Sequence, residues 1–166
     1  MPILRSGTLE FTSHSAAQTA RLGHRLGELI RPGDVICLSG GLGAGKTAFS
    51  RGLGKGWGAV PALTSPTFTL VHEHTREVDA LRLYHVDGYR LSGVDDALSF
   101  GLEELLLDAN PLLLEWPERV AELLPVNRLT IHFEVMDADR RHIFFEAGGE
   151  GYEDLLDAYR RLTFGG

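Results

Sequence analysis

Cysteine occurs once in 166 residues, at Cys37, so no disulfide forms within the chain. That usage fits a reducing compartment. Lysine is almost as scarce, with only Lys46 and Lys55. Acids outnumber bases, 23 to 16, for a formal net charge of −7. This balance argues against a nucleic-acid binder working through a broad basic face, while leaving room for a small local patch. There is no apolar run long enough to cross a bilayer, and no basic-then-apolar signal segment at Met1. The expected location is cytoplasmic, with no membrane contact. Neither asparagine, Asn110 or Asn127, is followed by lysine, so the N-K-x-D pattern that reads guanine is missing. The length suits one domain, 1–166, with a real core.

What is present is a phosphate-binding loop. Val35 to Ser39 is a short apolar run of strand character, which also makes Cys37 a small core hydrophobe rather than a nucleophile. Gly40 to Thr47 then reads GGLGAGKT, the G-x-x-x-x-G-K-[ST] pattern between a strand and a helix. Small residues let successive backbone N–H groups curl around a phosphate. Gly41, Leu42, Gly43, Ala44, Gly45, Lys46, Thr47 and Ala48 are therefore expected to cradle a nucleotide. Lys46 would reach the β- and γ-phosphates of a nucleoside triphosphate and Thr47 would ligate Mg²⁺.

Upstream, Thr8 to Phe11 reads as an edge strand. Thr12, Ser13 and Ser15 are candidate caps for an amphipathic helix running to Arg31, on which Thr19 and Arg21 are expected at the surface. Downstream, Gly52, Gly54, Gly56 and Gly58 are expected to break up the helix after the loop. Thr64 to Thr69 carries hydroxyls around Pro66, suited to face a γ-phosphate as a switch loop does.

Two further strands end in acids. Leu81 to Asp87 and Leu112 to Glu115 each place a carboxylate at a C-terminal tip, where open α/β sheets collect ligands. A P-loop ATPase needs one acid to hold Mg²⁺, usually through water, and a group to orient the attacking water. Asp87 and Glu115 are the candidates for those catalytic and metal roles, and spacing does not say which does which. His72, His74 and His85 read as surface or loop histidines. Leu129 to Val135 and Arg141 to Ala147 form a hairpin, Gly148, Gly149 and Gly151 a hinge, and Tyr152 to Leu162 a last helix.

Taken in order, the GGLGAGKT loop, TSPTF from Thr64, LYHVDGYRL from Leu83 and LLLEWPE from Leu112 resemble the TsaE (formerly YjeE) family. These are P-loop ATPases of bacterial tRNA threonylcarbamoyladenosine biosynthesis. The resemblance covers nearly the whole chain. It implies a three-layer α/β P-loop fold with a central mixed, mostly parallel sheet. It implies slow, partner-dependent ATP hydrolysis with the TsaB–TsaD heterodimer, which modifies adenosine 37 of tRNA; tRNA would be contacted mainly through that complex. By motif, Thr67 lies near the metal, Asp87 is the Mg²⁺-associated acid, and Glu115–Trp116 match the family's E-W pair. Gly88 departs from the family's bulkier apolar residue, with a looser Asp87 loop as the expectation. The runner-up is a small-molecule or nucleoside P-loop kinase. Arg90 and Arg119 are its candidate phosphate-transfer arginines, without an arginine-rich lid segment.

Overall fold

The computed structural model describes residues 7–61 and 70–165, so the segment Thr64 to Thr69 lies outside the described residues. The strands are β1 Thr8–Ser13, β2 Val35–Ser39, β3 Val71–Thr75, β4 Arg82–Asp87, β5 Leu112–Glu115, β6 Arg128–Val135 and β7 Arg141–Gly148. The helices are α1 Ala16–Gly27, α2 Lys46–Trp57, α3 Val94–Ser99, α4 Leu102–Leu107 and α5 Glu150–Phe164, with 3₁₀ turns at Gly88–Arg90 and Pro117–Leu123. All seven strands join one sheet in the order β1-β7-β6-β2-β5-β4-β3. The four central strands, β6, β2, β5 and β4, are parallel, and β7, β1 and β3 add antiparallel edges.

β2 sits mid-sheet because it can be buried on both faces. Its alternating side chains serve two cores. Ile36 and Leu38 pack with Leu26, Phe49, Leu53 and Leu156 from α1, α2 and α5. Val35 and Cys37 pack with Leu91, Ala97, Leu102 and Val120 on the opposite face. The result is the expected three-layer α/β P-loop fold. Burial pushes the Cys37 thiol up to about 12, in keeping with a core role.

Local chemistry explains where the elements differ from expectation. Ser15 caps α1 by accepting from Gln18 N (3.0 Å), while Gln18 Oε1 accepts from His14 N (2.7 Å). The helix ends at Gly27 instead of Arg31, because Asp34 draws Arg31 out of it. The Asp34 carboxylate accepts from Arg31 N (2.7 Å) and from its guanidinium (3.0 Å). α5 starts at Glu150, so Gly151 is helical, Gly148 closes β7, and only Gly149 lies between.

The glycines of α2 do not break it. They let it run beside α1 at backbone contact. A Cβ built on Gly52 would lie 1.9 Å from Ala20 O, and one on Gly56 would lie 2.0 Å from His24 O. From α1, Gly23 and Gly27 meet Phe49 O and Leu53 O at 2.1 Å in the same sense. The pairs rise together along both helices, so the helices are parallel, and both N-termini point to one end of the sheet.

The histidine expectation fails at two positions. His74 is 3 % exposed and His85 0 %. β3 and β4 turn both rings into covered space, where His74 Nδ1 lies 2.7 Å from Pro61 O and His85 bonds to an acid described below. Among the described residues no three His, Cys, Asp or Glu side chains converge on a metal position.

The helix seam carries a test whose sign is informative. Gly→Ala within an exposed helix stabilises by about 1 kcal/mol. Gly52→Ala should instead destabilise by about 1–3 kcal/mol, because the added methyl forces the helices apart. Urea unfolding should show a lower midpoint at unchanged slope; a raised midpoint would mean that the seam has slack.

Candidate functional site

A cavity of about 530 Å³ opens at the C-terminal ends of the parallel strands. Leu42, Gly43, Ala44, Gly45, Lys46, Thr47 and Ala48 form one wall, while Gly41 lies exposed just ahead of it. Gly45 adopts φ 105° as it enters α2, a left-handed conformation that a side chain would strain. That turn sets the N-terminus of α2 at the cavity, where its dipole favours an anion.

Lys46 is 6 % exposed, and its Nζ donates to Gly40 O. The ammonium also stands 3.6 Å from the centroid of the Trp116 ring. Burial pushes Lys46 below the usual lysine value, against the pull of the Glu115, Glu118 and Asp87 carboxylates. A buried cation whose described close contacts are a carbonyl and a ring is suited to an incoming phosphate.

The two acids come together as the strand reading predicts. Asp87 and Glu115 are register partners on β4 and β5, and Glu115 is also level with Leu38 of the P-loop strand. Both line the cavity. Asp87 Oδ1 accepts from Tyr89 N (3.0 Å), and Arg90 Nε stands 3.9 Å from Oδ2. Glu115 is 7 % exposed, and its Oε2 lies 2.6 Å from His85 Nε2. Gly88 does not loosen this corner. A Cβ there would lie 2.6 Å from the carbonyls of both Glu115 and Trp116, so the glycine permits close approach of the two strand ends.

Trp116 is the one described non-glycine residue with positive φ, at 58°. Such a backbone is costly for a bulky residue and persists where its surroundings hold it. Here Trp116 N donates to Leu38 O (3.1 Å), and Pro117 disfavours the right-handed helical alternative. The ring then sits between Lys46 and Tyr89, whose ring centroid is 5.0 Å away, and Arg119 lies over Tyr89 in turn.

On the other side of β2, the cavity is lined by Ser15, Ala16 and Thr19 of the α1 start and by Ala138, Asp139 and Arg141 of the β6–β7 hairpin. Thr19, expected at the surface, is 1 % exposed. Its hydroxyl pairs with Ser13 Oγ at 2.7 Å because α1 begins against the end of β1. Arg141 forks onto Gly43 O through Nε (3.2 Å) and Nη2 (3.1 Å), and Nη1 donates to Asp137 O (2.8 Å). It ties the phosphate loop to the hairpin turn. Spacing carries no signal for Arg141 or Asp139, since 98 residues separate Arg141 from Gly43. His85 was within reach, as it shares a strand face with Asp87.

The donor set suits a hard cation. Thr47, Asp87 and Glu115 bring only oxygen to the cavity, the chemistry of Mg²⁺ held by few protein ligands and by phosphate. Thr67 lies outside the described residues.

Comparison with known proteins bears on this geometry. The family model described as "Threonylcarbamoyl adenosine biosynthesis protein TsaE" matches residues 13–143. The tRNA threonylcarbamoyladenosine biosynthesis protein TsaE of Treponema pallidum is 41 % identical over 131 residues, covering 79 % of this chain and 95 % of that protein. Its namesake in Bacillus subtilis is 36 % identical over 153 residues, covering 92 % and 94 %. The crystal structure of Bacillus subtilis YdiB superposes with a TM-score of 0.78 at 34 % identity, covering 93 % of this chain and 95 % of that one. Together with the loop, the paired strand-end acids and the three-layer fold, these matches show that the chain belongs to the TsaE family.

Proposed function

We propose that residues 1–166 act as one P-loop ATPase domain, which binds ATP with Mg²⁺ and hydrolyses it slowly alone. Its work is in the cytoplasm, in the threonylcarbamoylation of adenosine 37 in tRNA, with a TsaB–TsaD heterodimer as partner and tRNA contacted mainly through that complex. The observation that carries this reading is the meeting of Lys46, Asp87 and Glu115 at one cavity beside the helix N-terminus.

Gly41 to Ala48 would cradle the triphosphate, with Lys46 exchanging Gly40 O for the β- and γ-phosphates. Ser15, Thr19 and Asp139 line the cavity on the side left for the base, and Arg141 holds Gly43 O. Thr47 and Asp87 would hold Mg²⁺, with Glu115 lining the same cavity and Thr67 added on the family resemblance alone; bound there, the ion would supply positive charge to offset what builds on the phosphates. Glu115, on the strand next to the P-loop strand, orients the attacking water. Of the kinase alternative's two arginines, Arg90 stands beside Asp87 and Arg119 lies over Tyr89.

Lys46→Ala should weaken ATP binding by roughly 100-fold, the scale of one lost charge-assisted contact, and should abolish nearly all hydrolysis while the fold survives. Calorimetric titration beside circular dichroism checks this, and parent-like affinity and turnover would remove the P-loop reading.

Asp87→Asn keeps shape and loses charge. Turnover should fall by at least about tenfold at every Mg²⁺ concentration, with ATP affinity largely intact. Rates across a Mg²⁺ titration decide the point.

The partner reading is tested by the dissociation constant for TsaB–TsaD with an ATP analogue, with ADP and with no nucleotide. The ATP-analogue complex should be the tightest, and ATP affinity should rise by the same factor in the complex. Equal constants in all three states would end the nucleotide-gated reading. Failure to bind in any state, with phosphate transfer to a small acceptor, would favour the kinase.

A further inference from the structure

His85 occupies a position that an apolar residue would fill at lower cost. It sits in β4 opposite Leu113 of β5, and its ring is fully buried. Among the described residues only one of its nitrogens is used: Nε2 lies 2.6 Å from Glu115 Oε2, while Nδ1 is sealed from solvent without a partner. Facing a carboxylate, Nε2 is the nitrogen that donates, whatever Nδ1 carries. A buried ring with one idle nitrogen is a net expense for the fold unless its other N–H does something an apolar side chain cannot. That N–H binds one oxygen of a cavity-lining acid. The bond is short, charge-assisted and shielded from water, so it holds the carboxylate plane firmly. Glu115 is thereby held through Oε2, and Oε1 has no hydrogen bond to any described residue.

We infer that His85 is a positioning residue for ATP hydrolysis: by holding Oε2 of Glu115 it turns Oε1 to the reacting water, without touching nucleotide or metal itself. The inference rests on the ATPase reading above.

The test uses the full chain with TsaB–TsaD and compares two amides. Gln at position 85 can offer its Nε2 near the place of the imidazole Nε2; Asn is too short to reach Glu115. His85→Asn should lower kcat between about 10- and 100-fold, with KM and ATP affinity within about twofold of the parent. His85→Gln should recover most of that loss. His85→Asn combined with Glu115→Gln should be no slower than Glu115→Gln alone, because the histidine acts only through that acid. Thermal midpoints of the variants check folding, and the contrast between the two amides stands even if both are less stable than the parent. Equal rates for the Asn and Gln variants, losses that multiply in the double variant, or an ATP affinity that falls in step with kcat would each overturn the inference. A parent that hydrolyses no ATP, with or without partners, would remove the ATPase reading and this inference together. A hydrolysing parent with unaffected His85 variants would remove the inference alone.

Discussion

The parallel register of β2, β5 and β4 is the constraint on which the site depends. Leu38 is level with Glu115, and Glu115 with Asp87. Three strand ends therefore finish side by side, and the chain leaving the first of them becomes the phosphate loop. A slip of one residue would turn every side chain of a strand to the opposite face. Ile36 and Leu38 would then exchange cores with Val35 and Cys37, and Glu115 would leave the cavity. Burial on both faces of β2 and β5 makes such a slip costly. The same apolar packing that stabilises the sheet thus sets the spacing of the charged groups.

Charge and ring geometry at this rim depend on one another. Lys46 is kept as a buried cation by a carbonyl, a ring and three carboxylates in its surroundings. The ring is there because Trp116 accepts a left-handed backbone between β5 and Pro117. Gly88 lets the turn after Asp87 press against the same two carbonyls, which brings Tyr89 onto the Trp116 ring. Each of these residues occupies a conformation or a burial that would be unfavourable alone.

Much of this was legible in the sequence, and the remainder has identifiable causes. β2, the phosphate loop, and the carboxylates ending β4 and β5 follow from local pattern: apolar runs, glycine spacing, an acid at each tip. The misread residues are those whose meaning lies in a neighbour distant along the chain. Gly52 and Gly56 look like helix breakers until α1 is placed against them. Thr19 is polar on an amphipathic helix and reads as surface until Ser13 is seen beside it. His85 reads as a loop histidine until β5 brings Glu115 to it. Arg141 reads as an ordinary strand residue until the hairpin folds over Gly43. Periodicity reports one element's own faces and says nothing about which element will cover them.

The glycine seam between α1 and α2 has a mechanical meaning. With backbone against backbone and no side chains between, the pair has no layer of flexible rotamers to absorb a shear. The start of α1, carrying Ser15 and Thr19, and the start of α2, carrying Lys46 and Thr47, therefore belong to one stiff beam. Compliance in the cleft is left to the opposite bank, where two short 3₁₀ turns carry Tyr89 and follow Trp116. The far ends of both helices, Gly27 and Trp57, are thereby tied to the rim of the cleft.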